Sequence, residues 1–187
     1  MWAAGLSCRP HLFYLMLVFP AVISSKKGTE MKAMMTALAL AAVTLAAPAY
    51  AQNVEKIGTP QGRILTAAKV KAGAETIYLS GNLASPIDPA KPGEYGDTKT
   101  QTISTLNKIK SILEANGYKM SDIVRMDAFL TAAPGMEGKM DFAGFNAGFA
   151  QFFGTAENPT TVTRTTMQIA ALAGPNFLVE LTVIAAK

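Results

Sequence analysis

The hydrophobic residues after position 62 fall into segments of helical spacing and segments of strand alternation, and both kinds recur along the chain. Between Thr98 and Asn116, apolar residues return at steps of three and four. This predicts an amphipathic helix with Asp97 as its N-cap and Gly117 just beyond its C-terminus. Between Ile123 and Leu130, apolar and polar residues alternate, which predicts a strand with one covered face.

A second helix is predicted from Met140 to Phe153, ending at Gly154. Its phenylalanines, at positions 142, 145, 149 and 152, follow one another at steps of three, four and three. We interpret this stripe as core packing against a sheet rather than as a ligand site. Gly144 and Gly148 lie inside the segment, and each costs about 1 kcal/mol relative to alanine, so tertiary packing has to compensate for them.

Four other segments are predicted to be strands that pair as two hairpins. Arg63–Val70 and Thr76–Ser80 form the first hairpin, joined near Gly73. Thr160–Ala170 and Phe177–Ala186 form the second, joined by a short turn of Gly, Pro and Asn.

The resulting order, β-β-α-β-α-β-β, predicts an α+β fold with two helices on one face of a single sheet. In the last strand both sets of alternating positions are apolar, so both of its sides are expected to be buried. Two helices cover only one side. We therefore expect another subunit to cover the second side, which predicts a homo-oligomer.

The first 51 residues have the composition of export segments. Residues 31–51 begin with Met31 and Lys32, continue with an apolar run too short to span a membrane and end in a small-x-small pattern. This predicts a signal peptide cleaved after Ala51. Residues 1–30 contain a second apolar run, and our hypothesis is that they are a non-native upstream extension. Residues 52–187 are then a single domain in the periplasm or outside the cell, in contact with a membrane only during export.

Residues 52–187 contain neither histidine nor cysteine. Of the 17 basic and 13 acidic residues in the chain, 13 and 12 belong to these 136 residues, so the net charge is close to zero. This composition excludes thiolate and Ser-His-Asp chemistry, disulfides and the usual zinc sites, and it lacks the basic patch of a nucleic-acid binder. Catalysis would have to use arginine, lysine, carboxylates, hydroxyls or backbone groups.

Two charged residues, Arg164 and Glu180, interrupt the last two predicted strands. In an antiparallel hairpin they are about equally far from the turn and would lie close together. A cross-strand ion pair is one interpretation of such a pair. The alternative is a small hydrolytic site, in which the guanidinium binds a substrate carboxylate and the glutamate orients or deprotonates a water.

Several short motifs resemble, in order and spacing, the Rid (YjgF) family of reactive intermediate deaminases. The similarity covers residues 63–187. The matching segments are Tyr78-Leu79-Ser80-Gly81, Gln101-Thr102, Leu106-Asn107-Lys108-Ile109-Lys110, Leu113-Glu114-Ala115-Asn116-Gly117, Phe145-Asn146, Phe152-Phe153-Gly154, Arg164-Thr165 and Leu178-Val179-Glu180-Leu181.

The resemblance implies a chorismate-mutase-like fold in a homotrimer, with sites in the clefts between subunits. It also implies hydrolysis of 2-imino acids to 2-keto acids and ammonia without a cofactor or a metal. Arg164 matches the arginine that holds the substrate carboxylate, and Glu180 matches the glutamate associated with the attacking water. The resemblance further implies that the substrate-binding positions lining the cleft are Asn146, Ser80, Gly81 and Thr166.

The sequence also departs from the family pattern at three places. Val162 occupies the position of a usual proline, and Thr166 that of a frequent cysteine. Leu65 or Thr66 stands where active members carry a pocket tyrosine. These departures leave an alternative function open, a non-catalytic trimeric module that binds small carboxylates or acts like a holdase. A ribonuclease is disfavoured because residues 52–187 have no histidine and no basic stripe.

Overall fold

The computed structural model describes residues 53–59 and 62–187. The proposed upstream extension and signal peptide lie outside the described residues and stay predictions. The strands are β1 (Val54–Ile57), β2 (Ala67–Val70), β3 (Thr76–Leu83), β4 (Ile123–Leu130), β5 (Thr163–Gln168) and β6 (Val179–Ala186). The helices are α1 (Thr98–Ala115) and α2 (Phe142–Phe149), with a 3₁₀ turn at Met120–Asp122. No helix in this part of the chain is long and apolar enough to cross a membrane.

The elements confirm the α+β class but form two sheets instead of one. A four-stranded mixed sheet has the order β3-β6-β4-β5, and β1 pairs with β2 in a separate two-stranded sheet. Both helices pack on one face of the larger sheet, which we call the helix face, around a continuous hydrophobic core. We call the opposite face of that sheet the open face.

Both predicted hairpins are wrong. The strand β2 pairs with β1, which the sequence did not predict, and β3 pairs with β6. The strand β5 pairs with β4 in parallel, and β4 separates it from β6. The physical reason lies in the side chains. β6 is apolar along one side and at Ile184 and Ala186 on the other, and it takes a central position, whereas the polar strand β5 lies at an edge. The helix α2 provides the crossover that a parallel pair requires.

The helix α1 agrees with its predicted bounds to within one residue. The side chain of Asp97 accepts a hydrogen bond of 2.7 Å from the backbone N–H of Thr100, as expected of an N-cap. Gly117, just beyond the helix, has a φ of 75°, a conformation that glycine adopts without strain.

The helix α2 is shorter than predicted, and its phenylalanine stripe confirms the core interpretation in part. Phe145 and Phe149 are fully buried. Phe142 remains 42% exposed, so it lies at the margin of the core. The helix begins after Asp141, whose carboxylate accepts a hydrogen bond of 2.8 Å from the N–H of Gly144.

The open face is covered at one end by the chain itself. Val54 of β1 and Ala68 of β2 pack against an apolar group formed by Val124, Ile184 and Ala186. The remainder of this face is polar or exposed, and Tyr78 on β3 is 74% exposed. The expectation that a subunit covers this remainder stays a prediction.

Gly148 allows the two helices to approach closely, which explains a glycine inside α2. A Cβ at this position would lie 2.7 Å from Cβ of Thr102 and 3.0 Å from the carbonyl oxygen of Lys99, both on α1. We expect Gly148→Ala to lower the free energy of unfolding by about 1 to 3 kcal/mol, although alanine is the better helix former. Urea unfolding measures the change. The exposed Ala147→Gly variant is the control for helix propensity alone, and a stabilised Gly148→Ala protein would contradict the close contact.

Candidate active site

Arg164 lies on the edge strand β5, with its side chain on the helix face. It is paired with Met126 of β4, which is fully buried in the core, and paired residues share a face of the sheet. Its guanidinium carbon is 4.5 Å from the ring centroid of Phe149 and 4.9 Å from that of Phe145. The buried phenylalanines of α2 therefore also form a platform for a cation, a role the sequence analysis did not predict.

A hydrogen bond to α2 fixes the orientation of this guanidinium. Nη2 of Arg164 donates to Oδ1 of Asn146 at 2.9 Å, and Nδ2 of Asn146 donates to the carbonyl oxygen of Phe142 at 2.9 Å. Asn146 is thus anchored on its own helix and oriented toward Arg164. The structure brings together two of the site residues expected from the sequence.

Two buried polar atoms next to this contact have no hydrogen-bond partner among the described residues. They are Nη1 of Arg164 and Oγ1 of Thr166. The two residues are two positions apart on β5, so both side chains lie on the helix face. A buried donor without a partner is costly, which makes this pair a candidate binding site for an acceptor group. We call Arg164, Asn146 and Thr166 the arginine cluster.

Burial and a neighbouring charge both affect the pKa of the Arg164 guanidinium. Partial burial and, to a lesser extent, the positive charge of Arg63 together lower the pKa of Arg164 to about 10. Arg164 remains protonated at neutral pH. No salt bridge to Arg164 forms among residues 53–59 and 62–187, so within them its charge is balanced by aromatic rings and an amide rather than by an acid.

Glu180 lies on β6, beside Phe129 of β4 and Leu83 of β3. Phe129 is three positions from Met126 along β4, and an odd number of positions puts its side chain on the other face, the open face. Glu180 pairs with Phe129 and shares that face, so it lies on the side of the sheet opposite to Arg164. Strand spacing and rise put the two Cα atoms about 14 Å apart. The expected proximity of Arg164 and Glu180 within one chain is therefore wrong, and so is the ion-pair interpretation.

The carboxylate of Glu180 packs directly against Gly81. A Cβ on Gly81 would lie 1.8 Å from Oε1 of Glu180, so the side chain occupies the space that glycine leaves. The ladder between β3 and β6 shifts register between Leu79 and Asn82, which places Ser80 and Gly81 in a bulge inside β3 rather than at its end. We call Glu180, Ser80 and Gly81 the glutamate cluster.

The candidate site residues thus form two clusters on opposite faces of one sheet. Neither cluster has the ligands of a metal site, since no group of three or more acidic, histidine or cysteine side chains could hold a metal ion within the described part of the chain. The sequence analysis did not identify Arg63 as a neighbour of Arg164. Arg63 was one of only three arginines after residue 52, but nothing in the local pattern placed it near β5.

Comparisons with known proteins agree with the fold. The family model described as Endoribonuclease L-PSP matches residues 66–187. The RutC family protein of Sulfurisphaera tokodaii is 33% identical over 135 residues, covering 71% of this chain and 94% of the relative. The 2-iminobutanoate/2-iminopropanoate deaminase of Escherichia coli K12 is 33% identical over 112 residues, covering 59% of this chain and 79% of the relative.

Among solved structures, a Rid family protein from Yersinia pestis superposes with a TM-score of 0.57 at 20% identity, covering 72% of this chain and 99% of that one. The fold and the arginine cluster define a small α+β protein whose edge strand carries a half-buried arginine beneath an aromatic helix. The chain belongs to the Rid (YjgF) family.

Proposed function

We propose that this chain hydrolyses 2-imino acids to 2-keto acids and ammonia, with its own side chains supplying the catalytic groups. The observation that carries the proposal is a pair of buried atoms in the arginine cluster, Nη1 of Arg164 and Oγ1 of Thr166, that find no hydrogen-bond partner within the described part of the chain. A carboxylate accepts hydrogen bonds from a guanidinium and a hydroxyl at once. The deaminase relatives in Escherichia coli and Salmonella typhimurium support an imino acid as the ligand that carries this carboxylate.

In the proposed reaction Glu180 takes a proton from a water whose oxygen attacks the imine carbon. A carbon–oxygen bond forms, the electron pair of the C=N bond moves to nitrogen, and Glu180 gives the proton to that nitrogen, so a carbinolamine forms. When the carbon–nitrogen bond breaks, Glu180 takes the hydroxyl proton of the carbinolamine and passes it to the leaving nitrogen. Ammonia and a carbonyl group result, and the carboxylate is regenerated.

The geometry supports a site shared between two chains. The imine carbon is bonded to the carboxylate that Arg164 would hold, so the attacking water and its base must lie within a few ångströms of that carboxylate. Within one chain Glu180 is about 14 Å from Arg164 and on the opposite face of the sheet. We therefore propose that the arginine cluster of one subunit and the glutamate cluster of a neighbouring subunit form each site, in a homotrimer.

The direct test measures 2-keto acid formation from freshly generated 2-iminopropanoate and 2-iminobutanoate. We expect turnover well above the spontaneous rate with residues 52–187. A rate equal to the spontaneous one for both substrates would contradict the proposal. If 2-oxobutanoate then raised the melting temperature of this protein but not that of its Arg164→Met variant, the non-catalytic carboxylate-binding alternative would be supported.

Complementation between chains tests the shared site separately. Arg164→Met and Glu180→Gln are each expected to be inactive alone. In mixed oligomers refolded from equal amounts, random assembly gives about one quarter of the sites an intact arginine and an intact glutamate from different chains. We expect about one quarter of the wild-type rate. No recovery in mixed oligomers whose composition has been verified, or a monomer by light scattering, would contradict a shared site.

A further inference from the structure

A cavity of about 460 Å³ lies at the C-terminal end of α2. Phe149 of that helix and Ala150 just after it form one wall, and residues 159–161 form another. The loop between β1 and β2 forms the third wall and contributes Thr59, Arg63 and other described residues. Neither the family resemblance nor the proposed reaction assigns a ligand to this cavity.

The cavity has two cationic side chains and no acidic one among its described lining residues. Nζ of Lys56 donates to the carbonyl oxygens of Ser121 at 2.8 Å and of Thr161 at 3.0 Å, so the ammonium group is held in place. Burial lowers the pKa of Lys56 to about 8, while the nearby charge of Asp122 opposes this shift. Lys56 therefore stays mostly protonated at neutral pH.

Arg63 is the more accessible of the two cations. Its carbonyl oxygen accepts a hydrogen bond of 2.8 Å from Oγ1 of Thr161, which fixes the backbone while the side chain remains exposed. No salt bridge to Arg63 forms within residues 53–59 and 62–187. A guanidinium on the wall of a partly apolar cavity, without an acidic partner there, favours binding of an anionic group.

The cavity adjoins the arginine cluster. Phe149 lines the cavity, and its ring is also part of the platform beneath Arg164, at 4.5 Å from the guanidinium carbon. The N–H of Leu65 donates to the carbonyl oxygen of Val162 at 2.9 Å. The segment that carries Arg63 therefore runs beside the chain just before β5. The charge of Arg63 is close enough to contribute to the lowered pKa of Arg164.

Two neighbouring guanidinium groups repel each other unless an anion lies between them. One carboxylate can neutralise only one of these charges, whereas a ligand with two carboxylates neutralises both. The cavity has Arg63 and Lys56 on its wall and shares Phe149 with the platform beneath Arg164, so it provides room for a substrate side chain next to the arginine cluster.

We propose that Arg63, assisted by Lys56, binds a second carboxylate on the substrate side chain and makes the site selective for 2-imino diacids of four or five carbons. This inference rests on the proposed function, because it assigns the first carboxylate to Arg164. The reaction is unchanged: water adds to the imine carbon, ammonia leaves, and a 2-oxo diacid forms. Arg63 is a specificity residue that does not touch the reacting bond.

The test compares 2-iminoglutarate with 2-iminobutanoate in the wild-type protein and in Arg63→Met. We expect the variant to lose about tenfold or more in kcat/KM for the diacid, since it loses hydrogen bonds to a charged group, and to stay within about twofold for the monoacid. Lys71→Met, which removes an exposed charge outside the cavity wall, is the matched control and should change neither value. An equal effect of Arg63→Met on both substrates, or no effect on either, would overturn the proposal.

A binding measurement separates this proposal from the proposed function. By calorimetry, 2-oxoglutarate should bind the wild-type protein more tightly than 2-oxobutanoate, and Arg63→Met should remove that preference. This result is expected even if no imine is hydrolysed. If monoacid imines are hydrolysed but Arg63→Met leaves the binding of 2-oxoglutarate unchanged, the proposed function stands and the diacid inference fails.

Discussion

The Arg164→Met protein is expected to fold and to lose at least about 100-fold in kcat/KM for 2-imino acids. Two hydrogen bonds from a charged donor to a carboxylate contribute about 3 to 4 kcal/mol together, which corresponds to a factor of about 10² to 10³. The loss should be large because the guanidinium is already oriented by Asn146 and the rings of α2. In the wild-type protein little further ordering is needed when the substrate binds.

The stability of the protein should change little in Arg164→Met, in contrast to the large loss of activity. Arg164 carries a buried nitrogen without a partner among the described residues, which is unfavourable in the free protein. Methionine is flexible and apolar, and it can fill the space over Phe145 and Phe149. We therefore expect the free energy of unfolding to change by no more than about 1 kcal/mol.

Steady-state kinetics and urea unfolding, measured on the same preparations, test whether Arg164→Met lowers activity without lowering stability. Arg164→Lys keeps the charge but loses the planar fork, and it should recover only part of the activity. Lys110→Met on the exposed side of α1 serves as the control for loss of one positive charge. A folded Arg164→Met protein with near-wild-type turnover would remove the arginine cluster from the mechanism.

The helices and β4 could be predicted because their signals are local. Periodicity, the capping residue Asp97 and the glycine at position 117 all act within a few residues of the element they define. The glycine inside α2 could not be explained in the same way, because Gly148 is required by a contact with Thr102 on another helix. That contact is not visible in the sequence of α2 alone.

Strand pairing could not be predicted from adjacency. Adjacency predicts a hairpin between successive strands, yet β5 and β6 are separated by β4, and β2 pairs with a strand that was not predicted. The sequence did contain the relevant signal, since a strand that is apolar on both sides belongs in the middle of a sheet and a polar strand at its edge. Following that pattern would have separated Arg164 from Glu180.

The wrong pairing of β5 with β6 also explains why Arg164 and Glu180 were predicted to lie close together within one chain. Arg164 and Glu180 stood out as charged residues within predicted strands, and the other site residues were indicated by motif resemblance. Neither signal gives the order of the strands in the sheet. Arg164 with Asn146, and Glu180 with Gly81, are brought together by the fold. The relation between the two pairs depends on strand order, and the neighbour Arg63 depends on a loop contact with residues 161–162. Both are non-local features.

Gly81→Ala is expected to lower kcat/KM by about 100-fold or more while leaving the fold intact. The new Cβ would lie 1.8 Å from Oε1, 2.8 Å from Cδ and 3.2 Å from Cγ of Glu180, so the carboxylate has to leave its position. Loss of a positioned general acid–base group reduces rates by about 10² to 10⁴. Because every one of these atoms belongs to the outer part of a flexible side chain, the movement itself costs little.

The backbone at Gly81 does not require glycine, since its φ is not among the positive values found at seven other glycines of the described chain. Replacing glycine by alanine at a compatible position stabilises a protein by about 0.4 to 1 kcal/mol through the unfolded state. We therefore expect Gly81→Ala to have the same stability as the wild-type protein or slightly more. Activity and stability would then change in opposite directions, which distinguishes a displaced catalytic group from a damaged fold.

A double-mutant comparison assigns the effect to Glu180. If alanine at position 81 acts by displacing the carboxylate, then Gly81→Ala combined with Glu180→Gln should be no less active than Glu180→Gln alone. Independent roles would instead multiply the two losses. Ser80→Ala, which alters the neighbouring residue without adding a Cβ beside Glu180, shows how much of the effect comes from the bulge itself. Multiplied losses, or a fully active Gly81→Ala protein, would mean that the position of Glu180 against Gly81 does not matter for catalysis.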